Sequence, residues 1–80
     1  MFIEIITPGK ELYSGEVNLV QLPGKKSSFE ILKNHAHIVS ILKKGTIRLI
    51  EKGGSEKTFH IEGGVIENKN NKIIILVTGD

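Results

Sequence analysis

Apolar and polar residues alternate in short runs along this chain, and turn residues break the runs at short intervals. Phe2–Ile6 is the first expected strand. Residues 16–22 form the second, and its phase slips: Val17 and Leu19 point one way, then Val20 and Leu22 the other. A slip of one residue predicts a β-bulge or a strand buried on both faces. Residues 28–32 alternate with Phe29 and Ile31 inward. Residues 46–51 alternate with Ile47 and Leu49 inward, and residues 57–61 pair back on them across Gly53-Gly54, so that Phe59 and Ile61 share their face. Residues 65–67 and 72–77 make a last hairpin across Asn68-Lys69-Asn70-Asn71. The unbroken apolar run 73–77 predicts a strand covered on both sides. Residues 35–44 are ambiguous. Ile38, Ile41 and Leu42 fit a helical spacing, but the β-branched content favours extended structure.

Composition sharpens this picture. Ile, Leu and Val number 13, 7 and 5 in 80 residues, enough for one core and too many for a disordered chain. Ala36 is the lone alanine, which argues against a helical bundle. The expected fold is therefore all-β: a single domain over residues 1–80, a flattened sandwich or barrel of roughly eight to ten short strands. Gly63-Gly64 inside a strand pattern predicts a bulge or a barrel corner.

Charge excludes more than it suggests. The formal net charge is +2, and the cations are spread along the chain without a basic run. Ten of the eleven are Lys; Arg48 is the single guanidinium. This is no nucleic-acid footprint, despite a pI near 9.0. Phe2, Tyr13, Phe29 and Phe59 are too scattered to form a base-stacking platform. Lys52-Gly53 lacks the neighbours of a lipoyl or biotinyl carrier lysine. No cysteine is present, so there is neither a disulfide framework nor a thiolate site. No apolar stretch approaches the about 18 residues of a membrane span, and the start lacks the basic and apolar regions of a signal peptide.

Candidate chemistry is thin. His35 and His37 share a strand face and could hold one metal, as in cupin-type sandwiches, but a metal needs three or four convergent ligands. The carboxylate expected shortly after the second His is replaced by Ser40, Ile41 and Leu42. His60 and Glu62 would have to complete the set. Glu30, Glu62 and Glu67 flank apolar stretches and read as solvated strand residues. No catalytic residue, metal site or cofactor is assigned.

Several spaced motifs point elsewhere. They are Leu22-Pro23-Gly24, Phe29-Glu30-Ile31-Leu32, His35-Ala36, Leu42-Lys43-Lys44-Gly45 and Gly63-Gly64-Val65-Ile66-Glu67, after the opening Ile3-Glu4-Ile5-Ile6-Thr7-Pro8 and Leu12-Tyr13-Ser14-Gly15-Glu16-Val17. Taken together the chain resembles the β-domain of the epsilon subunit of F-type ATP synthase, over nearly its whole length. It departs from that family where Ser28 and Glu30 replace glycines, and where Lys33, His37 and Lys44 replace prolines. A proline at the position of His37 weakens the metal reading.

The resemblance implies a non-enzymatic rotor subunit in the central stalk of a proton- or sodium-translocating synthase. It would be peripheral on the cytoplasmic face of a bacterial plasma membrane, coupling rotation of the c-subunit ring to the gamma subunit. It implies a gamma-facing surface at Thr7, His35, Ala36 and Ile38, and a c-ring surface at Gly24, Lys25, Lys26, Ser27, Ser28 and Phe29. The chain stops at Asp80, where most relatives add an inhibitory helical hairpin, so the rotor role is implied without the inhibitory one. Two other classes stay open at this stage: a small metal-dependent sandwich enzyme using His35, His37 and His60, and a generic binding module of some other complex.

Overall fold

A computed structural model describes residues 1–78 of the chain. It contains eight strands and no helix among them: β1 (Phe2–Ile6), β2 (Glu11–Leu22), β3 (Phe29–Leu32), β4 (Ile38–Leu42), β5 (Gly45–Glu51), β6 (Glu56–Ile61), β7 (Gly63–Lys69) and β8 (Lys72–Thr78). Hydrogen-bonded neighbours run β4-β7-β8-β1-β2-β5-β6, with β3 added on β2. All pairs are antiparallel except β1 with β8.

The path folds on itself because β2 belongs to two sheets. Its first half pairs with β1, from Ile6↔Glu11 to Phe2↔Glu16. Its second half pairs with β5 and β3, from Val17↔Glu51 to Leu22↔Phe29. Between Val17 and Leu19 the register with β5 shifts by one residue, a bulge centred on Asn18. The bulge is why Val17, Val20 and Leu22 all end up buried despite the slip in their spacing. Sheet A (β4, β7, β8, β1 and the start of β2) thus faces sheet B (β3, the end of β2, β5, β6). Ile3, Ile5, Ile66, Ile73, Ile75 and Val77 of sheet A meet Val20, Leu22, Ile31, Ile47, Leu49 and Ile61 of sheet B in one core.

Local signals hold in most places. Within residues 35–44 the chain forms a strand, β4, over Ile38–Leu42 and no helix. Asn70 and Asn71 adopt φ 53° and 60°, the left-handed pair of a two-residue hairpin between Lys69 and Lys72. Gly54, at φ 99°, closes the β5–β6 hairpin, where its N–H donates to the Glu51 carbonyl (2.8 Å). Arg48 pairs with Glu56 across that hairpin (3.0 Å).

Three expectations are corrected. Strand β2 starts at Glu11, five residues before the apolar pattern begins, because β1 offers it a partner edge. Gly63-Gly64 makes no bulge, since both pair in register with β4 or β8, but it does follow a corner: at Glu62 the chain passes from β6 in sheet B to β7 in sheet A. They are glycines because the chains crowd there: a Cβ on Gly64 would lie 2.6 Å from the Leu76 carbonyl oxygen. The run 73–77 is covered on one side only. Ile73, Ile75 and Val77 are buried, whereas Ile74 and Leu76 face outward.

A small clamp ties β2 to β5 at the rim of the core. The Tyr13 hydroxyl donates to Glu51 Oε2, and its ring lies 5.5 Å from that of Phe59. Burial, then the hydrogen bond, then the charge of Glu51 push the tyrosine pKa up to about 12.

Two predictions follow from these contacts. Gly64→Ala should destabilise the fold by about 1–3 kcal/mol in urea unfolding, since the obstructing atom is backbone. Gly53→Ala, with open space around it, should be close to neutral. Tyr13 holds its proton more tightly folded than unfolded, where its pKa is about 10. Its contribution to stability should be complete below that pH and disappear as pH rises through about 12. Tyrosinate absorbance reads the sole tyrosine directly, and Tyr13→Phe should lack that alkaline loss of stability.

Candidate functional site

The outward residues of sheet A form rows that the strand registers fix. One row reads Ile41–Val65–Leu76–Ile6 across β4, β7, β8 and β1. Three of its four members are well exposed: Ile41 at 57%, Leu76 at 45% and Val65 at 42%. The next row reads Val39–Glu67–Ile74–Glu4, with Val39 at 64%. Both acids in it are tied down: His37 Nε2 lies 3.1 Å from Glu67, and Lys72 Nζ lies 3.6 Å from Glu4. An apolar stripe therefore crosses the sheet beside a stripe whose two acids each have a side-chain partner. Sheet B differs on its outer side. Its row Glu30–Gln21–Arg48–Thr58 is polar throughout, and its row Leu32–Leu19–Ile50–Glu56 is apolar across three strands but has only Leu32 well exposed among the apolar three. A contiguous apolar patch as exposed as that on sheet A marks an interaction surface.

The ends of this face carry the residues singled out from sequence. At one end, the loop from β3 to β4 is fastened to the β7–β8 hairpin. The Asn34 N–H donates to Asn71 Oδ1 (2.7 Å), and Asn71 Nδ2 donates to Asn34 Oδ1 (3.0 Å). Asn34 accepts φ 65° to do so. Buried Asn68 donates through Nδ2 to the carbonyls of His35 (3.4 Å) and Ala36 (3.3 Å). His35 and Ala36 are thus exposed but anchored. Ile38, which follows, turns its side chain to the core.

Thr7 sits at the other end, beyond Ile6. It is buried and structural: its Oγ1 accepts from the N–H groups of Gly9 (3.3 Å) and Lys10 (3.1 Å), closing the turn into β2. The structure does not gather Thr7 with His35, Ala36 and Ile38. It places them at opposite ends of a face whose exposed apolar centre is Val39, Ile41, Val65 and Leu76.

The loop Gly24–Phe29 also lies at the Thr7 end. Gly24 bridges to Leu42 of β4, and the Lys25 N–H donates to the Ile41 carbonyl (3.2 Å). A Cβ on Gly24 would lie 2.4 Å from the Ser27 carbonyl oxygen and 2.8 Å from the Phe29 ring. That close approach curls the loop over Phe29 and leaves Lys25, Lys26, Ser27 and Ser28 exposed. A groove of about 490 Å³ separates the loop from Val39, Ser40 and Ile41.

The three histidines go to different partners. The His35 ring turns to the Ala36 carbonyl (2.9 Å), His37 to Glu67, and His60 to Thr46 on sheet B (3.5 Å). Among the described residues no group of three or more His, Cys, Asp or Glu side chains is arranged to hold a metal. No helix of the described residues is long and apolar enough to cross a membrane.

Sequence reasoning missed Val39, Ile41, Val65, Ile74 and Leu76 as surface residues. The signal was the apolar run 73–77 itself, longer than a single inner face can use.

The family profile described as "ATP synthase, Delta/Epsilon chain, beta-sandwich domain" matches residues 1–79. The ATP synthase epsilon chain of Chlorobaculum tepidum is 45% identical over 74 residues, 92% of this chain and 84% of that one. That of Leptospira borgpetersenii is 43% identical over 74 residues, and this chain spans 58% of its length. A chain in the cryo-EM structure of the Euglena gracilis mitochondrial ATP synthase (OSCP/F1/c-ring) superposes with a TM-score of 0.87 at 17% identity, covering 94% of this chain and 48% of that one. A chain in the central stalk/c-ring structure of the Tetrahymena thermophila mitochondrial ATP synthase gives 0.79 at 20% identity, with 96% and 62% covered.

If the sheet A face is surface rather than core, charges should be tolerated there. Val39→Asp should unfold within about 0.5 kcal/mol of the parent, whereas Ile38→Asp one position earlier should lose about 2 kcal/mol or more. Paired urea titrations measure the difference.

Proposed function

The chain belongs to the family of ATP synthase delta/epsilon β-sandwich domains, and from that premise we propose that it is a central-stalk subunit that docks through the outer face of sheet A. The single observation that carries this reading is the row Ile41–Val65–Leu76–Ile6, continuous across four strands with three members well exposed, whereas the apolar row of sheet B spans three strands with one. Its occupant is the gamma subunit. His35 and Ala36 border the contact at one end and the Thr7 turn at the other, while Ile38 stiffens β4 from beneath. A standard interface buries about 800 Å² on each partner around an apolar centre with a polar rim, and the paired Glu4–Lys72 and Glu67–His37 groups supply such a rim.

The loop Gly24–Phe29 meets the c-ring. Lys25 and Lys26 present charge there, and the packing of Gly24 on Phe29 keeps the loop from yielding under load. No bond is made or broken. The domain transmits rotation from ring to stalk, and a close-packed β-sandwich deforms little while doing so. Its position would be peripheral to a bacterial plasma membrane, on the cytoplasmic side, held there by the assembly. The whole-subunit activities of longer relatives, inhibition included, lie outside this reading.

The test is co-purification from gently extracted membranes with a C-terminally tagged chain. The parent should recover gamma, the catalytic subunits and the c-ring. Ile41→Asp combined with Leu76→Lys should lower recovery of gamma by roughly tenfold or more while the variant stays folded. Equal recovery by the folded double variant would move the contact off sheet A. Failure of the parent to recover any synthase subunit from intact synthase would reject the stalk role.

A further inference from the structure

Between β3 and β4 the sandwich has an open seam, and the β4 side of it is an unguarded strand edge. Two bonds fix which way β4 points its backbone. The Lys25 N–H donates to the Ile41 carbonyl (3.2 Å), and the Lys43 N–H donates to the Pro23 carbonyl (2.8 Å). Residues 41 and 43 therefore turn their polar groups away from β7, and by the alternation of an antiparallel ladder so does Val39. Past Lys25 the loop leaves β4 and curls over Phe29. Among the described residues nothing pairs with the N–H or C=O of Val39, or with the N–H of Ile41.

Natural edges are usually blunted by charge, proline, a bulge or shortness. Strand β6 carries Glu56 and Lys57, and β3 has four residues with Glu30 among them. Strand β4 reads Ile-Val-Ser-Ile-Leu; it is five residues long and carries no charge, proline or bulge. The free backbone groups open onto the groove, whose lining includes Lys25, Lys26 and Phe29 and no acidic side chain.

We propose that this edge binds an extended acidic segment of a partner protein as an added β-strand. Its backbone pairs with Val39 and Ile41, and its acidic side chains meet Lys25 and Lys26. Only an extended chain can satisfy a row of strand-edge donors and acceptors, and an excess of cations around them selects for acid. Alternate side chains of the guest would cover half-buried Ile38 and Phe29 on one side and extend the Val39–Ile41 surface on the other. The proposal deepens the reading of the 24–29 loop as a docking segment. It rests on that reading for where the partner comes from, and on β4 alone for the pairing.

The test uses the full chain, labelled with nitrogen-15, and a capped peptide of alternating Thr and Val preceded by two Glu. The expected result is saturable binding, with amide exchange at Val39 and Ile41 slowed by about tenfold or more. A peptide with Lys in place of Glu should bind more weakly, and so should the parent peptide to the double variant Lys25→Glu, Lys26→Glu. Val39→Pro removes an outward N–H without breaking a ladder bond, and should weaken binding by roughly tenfold while the spectrum stays folded.

No change at the Val39 and Ile41 amides, or undiminished binding by folded Val39→Pro, overturns the proposal. Pairing of β4 with β4 of a second copy, seen as a dimer that Val39→Pro dissolves and the peptide does not, overturns it as well. The stalk reading is separable. Val39→Pro that loses the peptide but recovers every synthase subunit places the pairing outside the stalk and leaves that role standing. Peptide binding by a chain that recovers no synthase subunit removes the stalk role and leaves the pairing.

Discussion

Everything in this fold depends on one strand changing sheets. Strand β2 is twelve residues long, and a flat strand of that length would hold β1 and β5 in one open sheet. The bulge at Asn18 bends it, so its first half completes sheet A and its second half starts sheet B. Only then can Ile3, Ile5, Ile73 and Ile75 meet Ile47, Leu49 and Ile61. The extra residue also re-phases β2, and Val17 and Val20 both reach the core although their spacing is odd.

Once the sandwich is closed, its two outer sides are not equivalent. Sheet B has one apolar row, Leu32–Leu19–Ile50, of which only Leu32 is well exposed, beside the polar row Glu30–Gln21–Arg48–Thr58. Sheet A concentrates exposed Ile41, Val65 and Leu76 in one row and pairs the acids beside it with His37 and Lys72. The anchoring works the same way at both ends. Asn68 and the Asn34–Asn71 pair fix the His35-Ala36 loop, and Gly24 packed on Phe29 fixes the Lys25-Lys26 loop. The exposed groups of both loops are thus held by bonds and packing to the sandwich, as the proposed transmission of rotation requires.

Much of this was legible in the sequence, for reasons that are local. Alternation gave β1, β3, β5 and β6, the Asn-rich turn gave the last hairpin, and the slip within 17–22 gave a bulge, although it sits at Asn18, before Leu19 rather than after it, so that Val17 and Leu19 face opposite ways. The misreadings share a cause: they concern what lies beside a strand, which a single sequence does not encode. Glu11–Gly15 has no strand-like alternation and becomes a strand because β1 is its neighbour. The run 73–77 has the composition of a doubly covered strand, yet among the described residues nothing covers Ile74 and Leu76. Gly64 was read as a bend when it marks a close pass by the Leu76 carbonyl. For the site, sequence pointed to the two loops and to Ile38. It did not resolve that Ile38 faces in while Val39 and Ile41 face out, because residues 35–44 fit helical and extended spacings alike.

The central claim is that sheet A is covered in the working assembly and sheet B is not. Hydroxyl-radical footprinting of the isolated chain against the same chain in intact, purified synthase tests it most directly. Protection of Ile41, Val65 and Leu76 in the assembly, with Leu32 on sheet B unchanged, is the predicted result. Full labelling of those three residues in the assembly, with protection confined to sheet B, would contradict it.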